Sequence, residues 1–382
     1  MRREIYNADH DAFRDTVRAF CEREVAPHLA AWDAAGIVDR GLYRAAGTLG
    51  LLGLAVAEEY GGGGVDDFRY HAVLAEELVR IGATSVAMGL NGFNDLVAPY
   101  LTALCTAEQK TRWLPGLCAG ETVAAIAMTE PGAGSDLRAI TTSLVPDGDG
   151  FRLDGTKTFI SSGLLADLVI VAARSGKTGG RAELSLVVVE RGMPGFSRGR
   201  KLAKLGLTAQ DTAELFFDGV RLPRENVLGD IGAGMAYLRR NLRQERLTVA
   251  VMAMAGMRRS LDSTVRHVRE RKAFGSPLTD LQTIRFTLAE LTTEVEIAQV
   301  FVDRCMACLV AGELTEVEAA MVKWWVTELQ QRVVTRCLQL HGGYGYMTEY
   351  SIARDFVDAR VGTLYAGTTE IMKEIIGKAL GT

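Results

Sequence analysis

A glycine-rich segment with two hydroxyl side chains follows a short apolar run. It reads Met128-Thr129-Glu130-Pro131-Gly132-Ala133-Gly134-Ser135-Asp136 and ends a predicted strand. Exposed N–H groups at the glycines and the hydroxyls of Thr129 and Ser135 could hold a polar ring edge or a phosphate. The segment has neither Gly-Lys-Ser/Thr nor Gly-x-Gly-x-x-Gly ahead of a helix, so it matches no common nucleotide loop. An ordinary structural turn stays an alternative.

Other candidate groups lie in predicted helices and at their ends. Arg269-Glu270-Arg271-Lys272 closes one helix, where the helix dipole favours cations and a diphosphate is a natural partner. Residues 341–346 and 365–370 are glycine breaks in helical sequence. Glu245 begins a helix that is apolar on nearly every side, and from the residues alone an exposed or ion-paired carboxylate is expected there.

Cysteine usage gives no sign of a metal site or a disulfide framework. The six cysteines are scattered through the chain, and Cys305-Met306-Ala307-Cys308 lies inside a helical pattern without a second pair or a nearby histidine. We therefore expect reduced thiols, no bound metal and a cytoplasmic location.

Hydrophobic periodicity divides the chain into three parts. Helical spacing runs to about residue 120, including Phe13, Val17 and Phe20 and an apolar stretch from Tyr70 to about Leu104. Short β-type runs follow from Val123 to about Leu222, and four long helical segments follow, near 231–269, 278–312, 314–342 and 349–379. The predicted fold is α+β, with an N-terminal helical domain (1–122), a middle antiparallel β domain (123–228) and a C-terminal four-helix bundle (229–382).

Bulk composition excludes several classes of function. A length of 382 residues exceeds a single ordinary core, and the net charge of -4 gives no general attraction to nucleic acid. The N-terminus has the pattern of neither a signal nor a transit peptide, and no apolar run is long enough to predict a membrane span.

Taken together, these segments resemble the acyl-CoA dehydrogenases over essentially the whole chain, in the same order. The resemblance implies an FAD enzyme that desaturates an acyl-CoA thioester between its α and β carbons. It also implies three groups of contacts to the flavin. They are Ile126, Met128, Thr129, Gly134 and Ser135; Phe159, Ile160 and Ser161, where relatives usually have Trp-Ile-Thr; and Thr368 with Glu370.

The same resemblance assigns the rest of FAD to the C-terminal helices. Arg271, Phe274 and Gln282 match positions that hold the diphosphate and adenosine part. Gln339, Gly342 and Gly343 match residues offered to the FAD of a neighbouring subunit. The resemblance therefore implies a homo-oligomer, with a tetramer as the expected form.

The catalytic glutamate of the family has two alternative positions. Most relatives carry it in a Tyr-Glu-Gly-Thr turn near the C-terminus, where this chain has Ala366. The long-chain and isovaleryl types carry it on an internal helix, where this chain reads Gln244-Glu245-Arg246. Because the loss at one position is matched by a gain at the other, the resemblance implies that Glu245 removes the α-proton.

Substrate and partners are also expectations from the resemblance. The substrate-binding residues would be Ser135, Arg246, Tyr365, Ala366 and Gly367, with the N–H of residue 366 in the oxyanion site. Arg243 replaces an aspartate that many relatives use to bind coenzyme A, so a thioester on an acyl carrier protein stays an alternative substrate. A non-catalytic FAD-binding relative is a second alternative. Electron-transferring flavoprotein is the implied electron acceptor.

Overall fold

The computed structural model describes residues 3–178 and 181–381, which form helical, β and helical parts in that order. The first part contains α1 (Ala8–Phe20), α2 (Leu29–Ala35), α3 (Arg40–Thr48), α4 (Phe68–Arg80), α5 (Thr84–Asn91), α6 (Ala98–Leu104) and α7 (Ala107–Cys118). Side-chain caps stabilise the start of several helices. Thr106 and Gln109, for example, form a capping box at the start of α7.

The apolar stretch from Tyr70 to Leu104 is helical but not continuous. After α4, the N–H groups of Gly82 and Ala83 bond to carbonyls of the last turn, and Gly82 has a φ of +81°. This is the usual glycine termination of a helix. A π-helical turn, Gly92–Val97, then connects α5 to α6 just before Pro99. Proline donates no hydrogen bond and crowds the preceding turn, so the wider turn accommodates it.

The middle part is one sheet. Its strands are β1 (Ala124–Ala127), β2 (Ser143–Asp147), β3 (Gly150–Ser161), β4 (Leu168–Thr178), β5 (Arg181–Glu190), β6 (Phe196–Lys201), β7 (Thr212–Leu222) and β8 (Val227–Leu228). The order is β6-β7-β3-β2-β4-β5-β8, with β1 beside β4. The pairs are antiparallel apart from β1 with β4 and a single β2–β4 position, which are parallel.

Successive residues of β4 face two different cores. Leu168 and Ile170 belong to the core shared with the helices, whereas Val169 and Val171 belong to a smaller core inside the β part. Strand side chains alternate between faces, so both faces of this strand are covered. The sheet is thereby fixed against the helices, and β1, which leads into the glycine-rich segment, cannot shift independently of them.

The C-terminal part is dominated by long helices. They are α8 (Gly234–Glu270), α9 (Gln282–Val310), α10 (Glu316–His341), α11 (Ser351–Ala359) and α12 (Thr369–Ala379), with a short hairpin of β9 (Lys272–Ala273) and β10 (Ser276–Pro277) between α8 and α9. The fourth helical segment, predicted near 349–379, is two helices. Ala366 and Gly367 have φ values of +53° and +94°, which a right-handed helix does not allow.

Helix α8 is the centre of the molecule. It packs against α4 and α10, and every residue from Glu245 to Met254 is buried. An apolar helix covered on all sides is what its sequence predicts. The same packing buries the two charged side chains of this stretch, Glu245 and Arg246, away from bulk water.

The cysteines are free and buried, including Cys305 and Cys308 within α9. Within residues 3–178 and 181–381, no three side chains of the metal-binding types cluster together. Over the same ranges, no helix combines the length and apolar character that crossing a membrane requires.

Candidate active site

Glu245 is a buried carboxyl that accepts a hydrogen bond from Tyr100. Only 3% of its surface is exposed, and the Tyr100 hydroxyl on α6 donates to its Oε1 at 3.1 Å. Burial raises the pKa of Glu245 to about 7, against the opposing effects of the Tyr100 hydrogen bond and the Arg246 charge. A buried carboxyl that ionises near neutral pH has the properties of a general base.

A second buried carboxylate, Asp95, lies near Glu245. Its Oδ1 accepts from Gln244 at 3.1 Å and lies 2.5 Å from Nδ1 of His71, while its Oδ2 accepts from Asn91 at 3.2 Å. This network ties α8 to α4 and to the π turn before α6. The charge of Asp95 also contributes to the raised pKa of Glu245.

The turn between α11 and α12 is held from α10. Nζ of Lys323, which is fully buried, donates to the carbonyl of Gly367 at 2.6 Å. Thr368 caps α12, since its hydroxyl accepts from the N–H of Ile371 at 3.4 Å. Both contacts fix the backbone on the C-terminal side of Ala366.

Arg246 is a second buried cation, and its charge acts on Lys323. It is 3% exposed, and its Nη1 lies 3.7 Å from Glu316. Within the described ranges, its Nε and Nη1 have no hydrogen-bond partner. Burial lowers the pKa of Arg246, and its charge in turn acts on Lys323. The structure therefore places Arg246 within electrostatic range of Glu245 and of Lys323, whose ammonium group bonds the turn at residue 367.

A cavity of about 30 Å³ follows the same face of α8. Its lining includes Val249, Met252, Ala253, Gly256 and Tyr365. Val249 is one helical turn beyond Glu245, and the other α8 positions continue that face. Arg259 and Asp355, which form an ion pair, also line the cavity. The cavity thus lies on the face of α8 that carries Glu245, beginning one helical turn beyond it.

A buried ion pair anchors the glycine-rich segment. Nζ of Lys157 donates to Glu130 at 2.9 Å and to the Met128 carbonyl at 2.8 Å, and Thr141 and Thr142 also donate to Glu130. Burial opposes ionisation, but these hydrogen bonds outweigh it and lower the pKa of Glu130 to about 2. These contacts therefore fix the glycine-rich segment at Met128 and Glu130.

The predicted flavin contacts lie on adjoining backbone. The N–H of Thr158 bonds to the Thr129 carbonyl at 2.9 Å, which joins the glycine-rich segment to β3. Phe159 is 68% exposed, Ile160 is buried and Ser161 is exposed. The remaining predicted contacts are half-buried (Ile126, Met128, Thr129 and Thr368) or exposed (Gly134, Ser135 and Glu370).

These surroundings fit the flavin of FAD. An exposed aromatic ring at Phe159 offers a stacking face, and the Thr129 and Ser161 hydroxyls can meet polar ring edges. Apart from Gly134 and its chain neighbours, no atom of residues 3–178 and 181–381 lies within 4 Å of the point where a side chain would begin at Gly134, so the segment leaves open space there.

Positive φ angles mark the predicted site. The described non-glycine residues with positive φ are Phe159, Ser162, Leu207, Phe274 and Ala366. Three of the five, Phe159, Phe274 and Ala366, are among the predicted contacts. Such conformations cost about 1–3 kcal/mol each and tend to cluster at functional sites.

The predicted diphosphate and adenosine contacts form a separate group. The Arg271 guanidinium lies 5.2 Å from the ring centre of Tyr344, so the end of α8 adjoins the turn that follows α10. Phe274 is 96% exposed. Gln282, Gln339, Gly342 and Gly343 are exposed as well. Because α8 rises by roughly 1.5 Å per residue, Arg271 lies roughly 39 Å along it from Glu245. One chain therefore does not bring this group to its own Glu245.

Three contributors to the site had not been predicted. Tyr100 looks like any aromatic residue of an apolar helix, so its sequence gave no signal. Lys323, between Val322 and Trp324 in an apolar run, is a cation in a core position and could have been noticed. The role of Lys157 as the partner of Glu130 depends on a contact between β3 and the glycine-rich segment.

The fold and the buried carboxyl define a class, and comparison with known families identifies it. Residues 7–121, 125–220 and 232–381 match the N-terminal, middle and C-terminal domains of acyl-CoA dehydrogenase. The chain belongs to the acyl-CoA dehydrogenase family. It is an FAD-dependent oxidoreductase of acyl-CoA thioesters, so the predicted family, fold, enzyme class and cofactor are confirmed.

Individual relatives span the whole chain. The mitochondrial long-chain specific acyl-CoA dehydrogenase of Sus scrofa is 44% identical over 380 residues, which cover 99% of this chain and 88% of that protein. The mitochondrial isovaleryl-CoA dehydrogenase of Oryza sativa subsp. japonica is 33% identical, covering 98% and 92%. The crystal structure of an acyl-CoA dehydrogenase from Geobacillus kaustophilus has a TM-score of 0.96 at 45% identity and covers 100% of both chains. A glutaryl-CoA dehydrogenase from Mycobacterium smegmatis in complex with FADH2 has a TM-score of 0.90 at 27% identity, covering 99% and 96%.

Proposed function

We propose that Glu245 is the base of an acyl-CoA dehydrogenase that acts on long, unbranched acyl chains. The observation that carries this proposal is the carboxyl itself. It is buried on α8, it accepts a hydrogen bond from Tyr100, and its pKa is raised to about 7. The alternative family position is Ala366, which has no proton acceptor.

In this mechanism, the ionised Glu245 carboxylate takes the α-proton of the thioester. The N–H of residue 366 donates to the thioester oxygen, which makes the α-proton more acidic. Tyr100 stabilises the ionised form of the base by its hydrogen bond and keeps the carboxylate oriented. Arg246 and Lys323 place positive charge behind the turn, where negative charge builds up on the thioester.

FAD, when bound, accepts the β-hydrogen as hydride. Thr129, Ser135, Phe159, Ile160 and Ser161 would hold its ring, with Ile126, Met128, Gly134, Thr368 and Glu370 around them. Arg271, Phe274, Gln282, Gln339, Gly342 and Gly343 would hold the remainder of a neighbouring subunit's FAD. This differs from the expectation that Arg271 and Gln339 come from two subunits, because the end of α8 and the turn after α10 adjoin in one chain.

Chain length is inferred from the related enzymes, with the face of α8 beyond Glu245 as the expected path of the chain. The cavity on this face has a volume of about 30 Å³, which is room for one or two water molecules, so an acyl chain enters only if the lining side chains move apart. Arg259 and Asp355 also line the cavity, and their charges oppose burial of an apolar chain beside them. The 44% identical relative is named for long-chain substrates, which supports a long acyl chain.

Tyr365 restricts the shape of the substrate. It lines the same cavity as Val249, and a glycine in its place would leave room for a branch. We therefore expect straight acyl chains to be used better than isovaleryl-CoA.

Assembly and acceptor are part of the same proposal. Large exposed apolar side chains occur on the C-terminal helices and their connections, as expected for an oligomer interface; they include Phe274, Phe286, Ile297, Trp325 and Tyr346. A homotetramer would bring Arg271 to a neighbour's FAD. Electron-transferring flavoprotein is the proposed acceptor. A carrier-protein thioester is not favoured, because the related enzymes are named for CoA substrates.

Anaerobic flavin reduction tests the base. Glu245→Gln keeps the size and polarity of the side chain but removes its ability to accept a proton. Palmitoyl-CoA should bleach the flavin of the parent enzyme, and the rate should fall by about 10²–10⁴-fold in the variant. Unchanged FAD content in the variant is the control. Bleaching at the parental rate would exclude Glu245 as the base.

A further inference from the structure

Lys323 is a buried cation that donates a hydrogen bond to a backbone carbonyl. It lies in the middle of α10 with 0% of its surface exposed, and its Nζ donates to Gly367 at 2.6 Å. Removing an ammonium group from water is unfavourable even after the surroundings relax. A neutral side chain could fill this position without that cost. The presence of a charged side chain here therefore points to a specific role for its hydrogen bond.

The carbonyl that Lys323 binds belongs to a strained turn. Ala366 has a φ of +53°, and Gly367 has a φ of +94°. The left-handed conformation is unfavourable for a residue that has a side chain, so the turn relaxes unless its surroundings hold it. Lys323 supplies this hold one residue beyond Ala366, whose N–H is the proposed donor to the thioester.

A second cation reinforces the electrostatics of the turn. Burial lowers the pKa of Lys323 to about 8, with a further lowering by the charge of buried Arg246 and an opposing effect of exposed Glu370. Two positive groups therefore act on the turn, Lys323 by contact with the backbone at residue 367 and Arg246 from within electrostatic range of Lys323. They favour negative charge on a thioester oxygen bound in front of the turn.

We propose that Lys323 is a positioning residue for the reaction, because its bond to the Gly367 carbonyl holds the 365–368 turn with the N–H of Ala366 directed at the thioester. The proposal rests on the proposed function of Glu245 and of the N–H of residue 366. Lys323 itself touches neither substrate nor cofactor in this role.

A purely structural role is the competing interpretation. Helix α10 is also tied to α12 by the hydroxyl of Thr369, which donates to Glu328 at 3.0 Å. Glu328→Ala removes this tie and leaves the Lys323 bond intact, so it is a matched control for loosening the contact between the two helices. Lys323→Met removes the charge and the donor with little change in volume. Lys323→Gln removes the charge but keeps a donor.

The test uses 3-thiadodecanoyl-CoA with the FAD-loaded enzyme. The sulfur at its β position prevents desaturation, and loss of the α-proton to Glu245 gives an enolate with a long-wavelength charge-transfer band against oxidised flavin. Titration of this band with pH measures how well the site stabilises the enolate. We expect its midpoint to rise by about 1–2 pH units in Lys323→Met and by less in Lys323→Gln, with Glu328→Ala unchanged. The kcat with palmitoyl-CoA should fall by about 10–100-fold, less than loss of a whole oxyanion donor.

Each outcome has a distinct meaning. A parental midpoint in a folded, FAD-loaded Lys323→Met or Lys323→Gln enzyme would refute the positioning role, as would an equal shift in Glu328→Ala. If Lys323→Met fails to retain FAD, the Lys323→Gln titration decides the question. Failure of the parent enzyme to ionise the analogue, or ionisation by Glu245→Gln at the parental midpoint, would instead count against the proposed function.

Discussion

Replacing Tyr100 by Phe tests how the protein sets the pKa of its proposed base. The Tyr100 hydroxyl donates to Glu245 at 3.1 Å, and this hydrogen bond lowers a pKa that burial raises to about 7. A hydrogen bond to a charged group contributes about 1.5–3 kcal/mol, and one pKa unit corresponds to 1.36 kcal/mol. Loss of the donor should therefore raise the pKa of Glu245 by about 1–2 units.

The sign of the effect on activity follows from the role of the base. Only the ionised carboxylate accepts a proton, so kcat/KM rises with pH through the pKa of the free enzyme. In Tyr100→Phe this rise should move from about pH 7 to roughly pH 8–9. At pH 7 the ionised fraction should fall from about one half to roughly 1–10%, a loss in kcat/KM of about 5–50-fold. The rate at high pH should change much less.

The assay is a pH profile of kcat/KM with palmitoyl-CoA and an artificial electron acceptor. Tyr237→Phe is the matched control, because Tyr237 also bonds a carboxylate, that of Asp230 at 3.3 Å, but near the exposed start of α8. Its profile should match that of the parent. A Tyr100→Phe profile with an unmoved lower limb would refute the reasoning, because the phenol would then not set the pKa of the base.

Two further changes test the cofactor and the substrate. Arg271→Ala should lower both FAD occupancy and oligomer stability, since the cation is proposed to serve a neighbour's cofactor; a fully yellow oligomer, measured by absorbance and size-exclusion chromatography, would contradict this. Ala253→Leu should obstruct the cavity roughly 12 Å beyond Glu245. Lost burial of two or three methylenes at about 0.8 kcal/mol each predicts a fall in kcat/KM of roughly 15–60-fold for palmitoyl-CoA, with octanoyl-CoA little affected. Equal losses for both substrates would argue against the proposed path of the chain.

The sequence predicted those features that depend on local pattern. Apolar periodicity marked α8, α9 and α10 as separate long helices, and short β-type runs marked the sheet between helical parts. The glycine break at residues 365–370 was predicted, but apolar spacing continues on both sides of it, so 349–379 was counted as one helical segment and not as the two helices α11 and α12. A left-handed alanine leaves no trace in hydrophobic periodicity.

The site shows the same division. Glu245 came from a family pattern, since its own sequence context predicts only a surface or ion-paired carboxylate. Its burial depends on α4 and α10 covering α8, and its hydrogen bond comes from Tyr100, 145 positions away. Contacts of that separation are set by packing between elements, so they emerge only once the helices are placed in three dimensions.

The π turn at Gly92–Val97 determines which way Tyr100 faces. A π turn holds about one residue more than an α turn, and each residue rotates a helix by about 100°. Every side chain beyond it is therefore displaced by about 100° around the axis relative to an unbroken helix. Removing one residue from this turn would restore regular winding and carry the phenol away from Glu245, although no residue in contact with the carboxylate had been replaced. The number of residues in this turn thus sets the direction in which the Tyr100 phenol points. A deletion here should therefore be more damaging than a substitution.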